Sequence, residues 1–169
     1  MKYNRRKAVE YAHKWAFGRN PRYLDFSGLG GDCTNFISQC LLAGGLPMNY
    51  RKNFGWYYHS SYDRAPAWTS VQYFYQFLTD NQEAGPKADE VPLKDVQIGD
   101  VVQLSFDGAV FHHSLLVVEV KAPDTTGEGG SAVPGMDQIL IATHTDDSDY
   151  RRLSTYTAMR SYRCLKIRG

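Results

Sequence analysis

The apolar positions change period partway along the chain. Over the first 80 or so residues they recur every three or four positions, whereas from Gly99 onward they form short, dense runs of Val, Ile and Leu broken by Gly and Asp. The first pattern predicts amphipathic helices and the second predicts strands. Asn4 is placed to cap a helix that carries Ala8, Tyr11, Ala12, Trp15 and Ala16 on one face and ends at Gly18. A loop through "PRYLDFSGLGG" leads to a second helix, from about Cys33 to Ala43, with Phe36, Ile37, Cys40 and Leu41 on its apolar face and Gly44-Gly45 as its stop. Thr69 and Gln72 have the spacing of a capping box and open a third helix with Val71, Phe74, Tyr75 and Leu78 inward, although "VQYFYQF" also suits a strand. "NQEAGPKADEVP" reads as a connector.

Four strands are expected after it: "GDVVQLSF" (Gly99 to Phe106), "HSLLVVEV" (His113 to Val120), "QILIATHT" (Gln138 to Thr145) and "MRSYRCLKIR" (Met159 to Arg168). Helices first and strands afterwards predict an α+β fold, with N-terminal helices packed on a small antiparallel sheet. There is no internal repeat, so residues 1–169 are expected to form a single domain.

Composition adds limits. The chain has 169 residues, 43% apolar and 22% charged, which is enough for a real core. A net charge of +1 gives no reason to expect a nucleic-acid partner. No apolar run reaches the ~18 residues of a transmembrane segment, and "MKYNRRKAVEYAHKW" does not read as a signal peptide. That leaves the compartment open between the cell envelope, if a leader or further domain has been removed, and the cytoplasm. The aromatic stretch "NFGWYYHSSYDRAPAW" suits either a substrate groove or packing beneath a long loop.

The three cysteines, Cys33, Cys40 and Cys164, are an odd number without a C-x-x-C, so a disulfide framework is not expected. Cys40 falls on the apolar face of its helix and reads as core. Cys33 is different, because Asp32 occupies the N-cap position and puts the cysteine in the first turn. Free N–H groups and the positive end of the helix dipole there favour a thiolate. Gly30 and Gly31 let the backbone approach closely, and the Cys33 amide is a candidate donor to a developing oxyanion.

A thiol nucleophile needs a base. Of the five histidines, His13 and His59 read as structural or exposed. His113 opens one predicted strand and His144 closes the next, and the segment between them carries Gly127, Gly129 and Gly130. A hairpin centred between Glu128 and Gly129 would set His113 and His144 directly opposite each other on one face, with His112 on the other. Cys33 is then the expected nucleophile, His113 the base, and His144 the group that orients it, with Asp146 as the alternative orienter.

These residues resemble a bacterial putative-amidase domain family. The likeness lies in "GGDCTNFISQCLLAGG", "QIGDVVQLSF", "HHSLLVVEV" and "ATHTDD", in that order, and in "AVEYAHKWAFGRNPRYLDF" and "AWTSV". It runs from about Tyr3 to the last strand, with "DCTNF" and the downstream histidine most specific. The resemblance implies the papain-like, NlpC-type cysteine peptidase superfamily, whose members mostly cleave amide bonds in peptidoglycan stem peptides. It implies Cys33, His113 and His144 as catalytic, Tyr23, Asp25 and Asp32 as groove-lining, a peptide or peptidoglycan-fragment substrate, and no cofactor.

Other readings are weaker. Cys33, His113, His144 and Cys164 lack the spacing of a zinc site, and Asp146, Asp147 and Asp149 lack a complete calcium loop, so no metal is expected. An acyltransferase or transpeptidase on the same Cys–His framework differs from a hydrolase only in what releases the thioester. A non-catalytic binding module has no use for a capped cysteine and a histidine partner.

Overall fold

The computed structural model describes residues 2–122 and 135–169. It is an α+β fold whose centre is a six-stranded antiparallel sheet. Helix α1 (Arg5–Trp15) is capped by the Asn4 side chain, which accepts from the Lys7 amide at 3.0 Å. Helix α2 (Cys33–Ala43) begins and ends where the sequence pattern puts it. Its C-terminus closes with the Gly45 amide on Leu42 O and the Leu46 amide on Leu41 O, a turn that needs the φ of +90° adopted by Gly45. Nearly all of α2 is buried, polar residues included, so it is a central helix and not a one-sided surface one.

The chain then forms a small hairpin, β1 (Tyr58–Ser60) with β2 (Asp63–Arg64), a short helix α3 (Pro66–Thr69) and helix α4 (Val71–Asp80). The expected cap of this last helix is displaced by one residue. Thr69 ends α3, and Ser70 caps α4 by accepting from the Tyr73 amide. Its buried face is Phe74, Phe77 and Leu78. Val71 and Tyr75 are only half-buried, and the Tyr75 hydroxyl reaches Glu90 at 3.0 Å.

The large sheet contains β3 (Lys87–Val91), β4 (Val101–Ser105), β5 (His113–Val120), β6 (Ile139–Thr143), β7 (Ser148–Arg152) and β8 (Ser161–Arg168), in the order β3-β8-β4-β5-β6-β7. Strand β3 falls inside the expected connector, and β7 was also not foreseen. The central run "SLLVV" is continuous because both faces of the sheet are covered. Leu116 and Val118 pack with Val101, Leu140 and Ala142 under α1 and α2. Leu115 and Val117 point the other way, into a second cluster with Val102, Leu104, Ile141 and Leu153. Arg5 pins α1 to the sheet through Asp100, at 2.5 Å, and through the Ile98 carbonyl.

The register of β5 against β6 corrects the expected pairing. Leu116 lies opposite Ala142 and Val117 opposite Ile141, one residue away from the register that would oppose His113 and His144. With a side-chain period of two, one residue of slip sends the two histidines to opposite faces. The glycine-rich centre of the connection, Gly127 to Gly130, lies outside the described residues. Among the described residues, no helix is long and apolar enough to cross a membrane.

Candidate active site

The first turn of α2 is fastened to the first residues of β5. The Thr34 hydroxyl lies 3.1 Å from the Ser114 hydroxyl, and the Ser114 backbone N–H points at the Cys33 sulfur. Cys33 therefore sits beside the residue that follows His113. The sulfur also has the Thr34 hydroxyl at 3.8 Å. Burial is the stronger influence and pushes the Cys33 thiol up, while hydrogen bonds from Ser114 and Thr34 pull the other way. The helix start thus does not leave a resting thiolate, contrary to the expectation from position alone. Cys40 and Cys164 are buried free thiols in the two apolar clusters.

His113 is 7% exposed, on the face of the sheet that carries Leu115 and Val117. Burial first, and then the Arg151 guanidinium, holds its imidazole down to about 4, with Asp146 opposing. Its Nε2 lies 3.4 Å from Thr143 Oγ1. That hydroxyl has the Ser114 carbonyl at 2.9 Å and the His144 carbonyl at 3.0 Å to donate to. With its one hydrogen directed to the nearer Ser114 carbonyl, the hydroxyl is free to accept from His113, an arrangement that puts the ring hydrogen on Nε2 and leaves the Nδ1 lone pair for a proton.

His144 does not orient His113. It stacks on Phe36 of α2 with ring centroids 4.0 Å apart, on the helix side of the sheet. Its Nδ1 lies 2.5 Å from Asp32 Oδ2, and its Nε2 donates to the Trp15 carbonyl at 2.8 Å. His144 therefore joins the end of α1, the start of α2 and the end of β6. Asp32 is buried and fully engaged. Its Oδ1 accepts from the Phe26 amide at 2.8 Å and from Asn35 Nδ2 at 2.9 Å, and it makes no side-chain cap of α2. Its carboxylate is thus turned inward and not toward a groove.

The remaining expected residues are dispersed. Asp25 is exposed, accepts from the Ser27 amide and hydroxyl, and lies 3.2 Å from Arg19 Nε. Tyr23 stacks on Trp68 at 6.0 Å. Trp68 and Trp56 are buried, and their indoles donate to Asn35 and Ser38 of α2, so packing accounts for the aromatic stretch at these two positions. Asp146 adopts a φ of 55°, next to Thr145 at 69°, in the tight turn between β6 and β7. His112 is exposed, 3.7 Å from Asp107. Among the described residues, no three His, Cys, Asp or Glu side chains gather as metal ligands.

His113 opens into a cavity of about 440 Å³, which is also lined by His112, Asp146, Arg151, Thr155 and Tyr156. The Tyr156 ring meets the His113 ring edge-on at 5.9 Å, and Arg151 covers the other ring surface at 3.8 Å. Thr143, Arg151 and Tyr156 were missed in the sequence. Thr143 directly precedes His144 and would have been found from the correct register. Arg151 and Tyr156 follow a turn that shows no motif.

An α+β protein with a buried thiol at a helix start, fastened to the strand residue that follows a cavity-lining histidine, is the class that this fold and site define. The chain belongs to the Putative amidase domain family, whose model matches residues 2–167, and it is amidase-like at that level. It is 40% identical over 123 residues to the uncharacterized protein YhbB of Bacillus subtilis (strain 168), a match covering 70% of this chain and 38% of that protein. The chain thus corresponds to well under half of that relative's length. No solved structure matches the chain.

Proposed function

We propose that this protein is a cysteine-dependent amidase of the papain-like, NlpC-type superfamily, acting on the amide bond of a peptide of the cell-wall type. The observation that carries the reading is the fastening of α2 to β5 at Ser114, which sets the Cys33 sulfur beside the strand residue next to His113. With the thiol pushed up and His113 held at about 4, both groups rest neutral near pH 7. His113 Nδ1 takes the thiol proton as sulfur adds to the carbonyl carbon. The tetrahedral intermediate expels the amine, which receives that proton from His113. Water then releases the acyl group from sulfur by the reverse sequence. Thr143 sets the ring tautomer, in the place first given to His144 or Asp146. The pair His144–Asp32 holds the start of α2 in position. The amidase-level family membership supports this reaction class, and the peptidoglycan-type substrate rests on the superfamily resemblance.

The test is incubation with purified muropeptides and unrelated small peptides, followed by mass spectrometry for newly released amines. Cleavage of wall peptides, abolished in Cys33→Ser, is expected. Turnover that persists in Cys33→Ser would overturn the cysteine mechanism. Transfer of the acyl group to an added amine in place of water would make the enzyme an acyltransferase.

A further inference from the structure

Arg151 is a half-buried cation without a counter-charge. Arg5, Arg19 and Arg168 each meet a carboxylate, whereas Arg151 makes no ion pair among the described residues. Its side-chain hydrogen bond there runs from Nε to Thr155 Oγ1 at 2.8 Å. Among the described residues its two terminal nitrogens have no partner, and neither is sealed from solvent. The guanidinium is nonetheless held in place. It lies over the Tyr156 ring at 3.8 Å, and the bond from Nε fixes its plane. Arg151 lines the cavity of about 440 Å³ together with His113, a size that takes a small ligand. Thr145 and Thr155 line it too, and Asp146, the acid among the lining residues, does not pair with Arg151. Thr145 also ties the cavity to the loop that enters α2. Its Oγ1 is 3.6 Å from the point where a Cβ on Gly31 would stand, two residues before Cys33.

We infer that Arg151 binds the terminal carboxylate of a peptide substrate and holds it beside His113. A fixed planar guanidinium with both terminal nitrogens open offers two parallel donors, which match the two oxygens of a carboxylate. The bound anion supplies the counter-charge that the protein itself leaves out. In the proposed reaction His113 returns its proton to the departing amine, so a group held beside His113 lies on the leaving side of the scissile bond. The amine released is then an amino acid or a short peptide that carries the bound carboxylate. This placing of the bond rests on Cys33 and His113 being the catalytic pair, whereas the carboxylate site does not.

Binding is therefore tested apart from turnover. The imidazole resonances of His113, identified by their loss in His113→Gln, would be followed by NMR at pH 7 as N-acetylalanine, its carboxamide or inorganic phosphate is added. N-acetylalanine is expected to move them saturably. The carboxamide is expected to bind the wild type at least about tenfold more weakly, the scale of charge-assisted hydrogen bonds. The same loss is expected for N-acetylalanine with Arg151→Gln, and a smaller one with Arg151→Lys, which keeps the charge but not the fork. The comparison of acid with amide uses the wild type alone, so it holds even if the variants fold poorly. No saturable shift, equal binding of acid and amide, or an affinity indifferent to Arg151→Gln in a folded variant overturns the inference. Phosphate binding tighter than the carboxylate would make this a phosphate site and overturn it as well. Carboxylate binding as expected, with no peptide cleaved, would leave the site standing and defeat the amidase reading.

Discussion

Protonating His113 should weaken the fold by an amount that its surroundings fix. The imidazole is held at about 4 in the folded protein, against an ordinary 6.5. The unfolded chain therefore binds the proton more readily between these values, and stability must fall as pH drops through the window. Above 6.5 neither state is protonated and the effect vanishes. Below about 4 both are protonated and the loss levels off. At about 1.4 kcal/mol per pH unit the gap amounts to about 3 kcal/mol, a large fraction of a domain's stability. The assay is urea unfolding at a series of pH values for the wild type and His113→Gln, a neutral polar replacement. Carboxylates titrate in both proteins, so the difference between the two curves isolates the histidine. The wild type is expected to lose about 3 kcal/mol more than the variant between pH 7.5 and pH 3.5. Parallel curves would refute the claim that His113 sits buried and neutral.

Two further substitutions probe the groups around it. Asp32→Asn leaves His144 without its carboxylate in a site that excludes water, and is expected to cost about 3 kcal/mol in denaturant unfolding at pH 7; a loss below 1 kcal/mol would show that the pair does not hold the start of α2. Thr143→Val removes the acceptor on His113 Nε2, a hydrogen bond of about 1 kcal/mol, so acylation of Cys33 should slow about fivefold. The imidazolium also loses a partner, and the acidic limb of the pH–rate profile should move to lower pH. An unchanged limb would exclude the orienting role.

Much of this was legible in the sequence. The bounds of α2 follow from its apolar spacing and from Gly44-Gly45, and the full length of β5 from one dense run. Both signals are local. Cys33 at a helix start is likewise a local fact. The His113–His144 partnership depended on register across a long connection, where one residue decides the face. His144 reached Asp32 and the Trp15 carbonyl because three separate elements meet there. No spacing in the chain encodes that meeting. Strands β3 and β7 escaped notice because they are edge strands, the two ends of the sheet order, with mostly polar or half-exposed residues. Edge strands need no apolar alternation, since only part of their surface meets the core. The family resemblance covered nearly the whole chain and agrees with the match over residues 2–167.

The central claim is that Cys33 is a thiol activated by His113, and it is tested most directly by site-resolved alkylation. The native protein would be treated briefly with iodoacetamide near neutral pH and each cysteine quantified by mass spectrometry, in the wild type and in His113→Gln. The account predicts rapid modification of Cys33 with Cys40 and Cys164 untouched, and a marked slowing at Cys33 when the imidazole is removed. Equal labelling of the three thiols, or a Cys33 rate indifferent to His113, would contradict it.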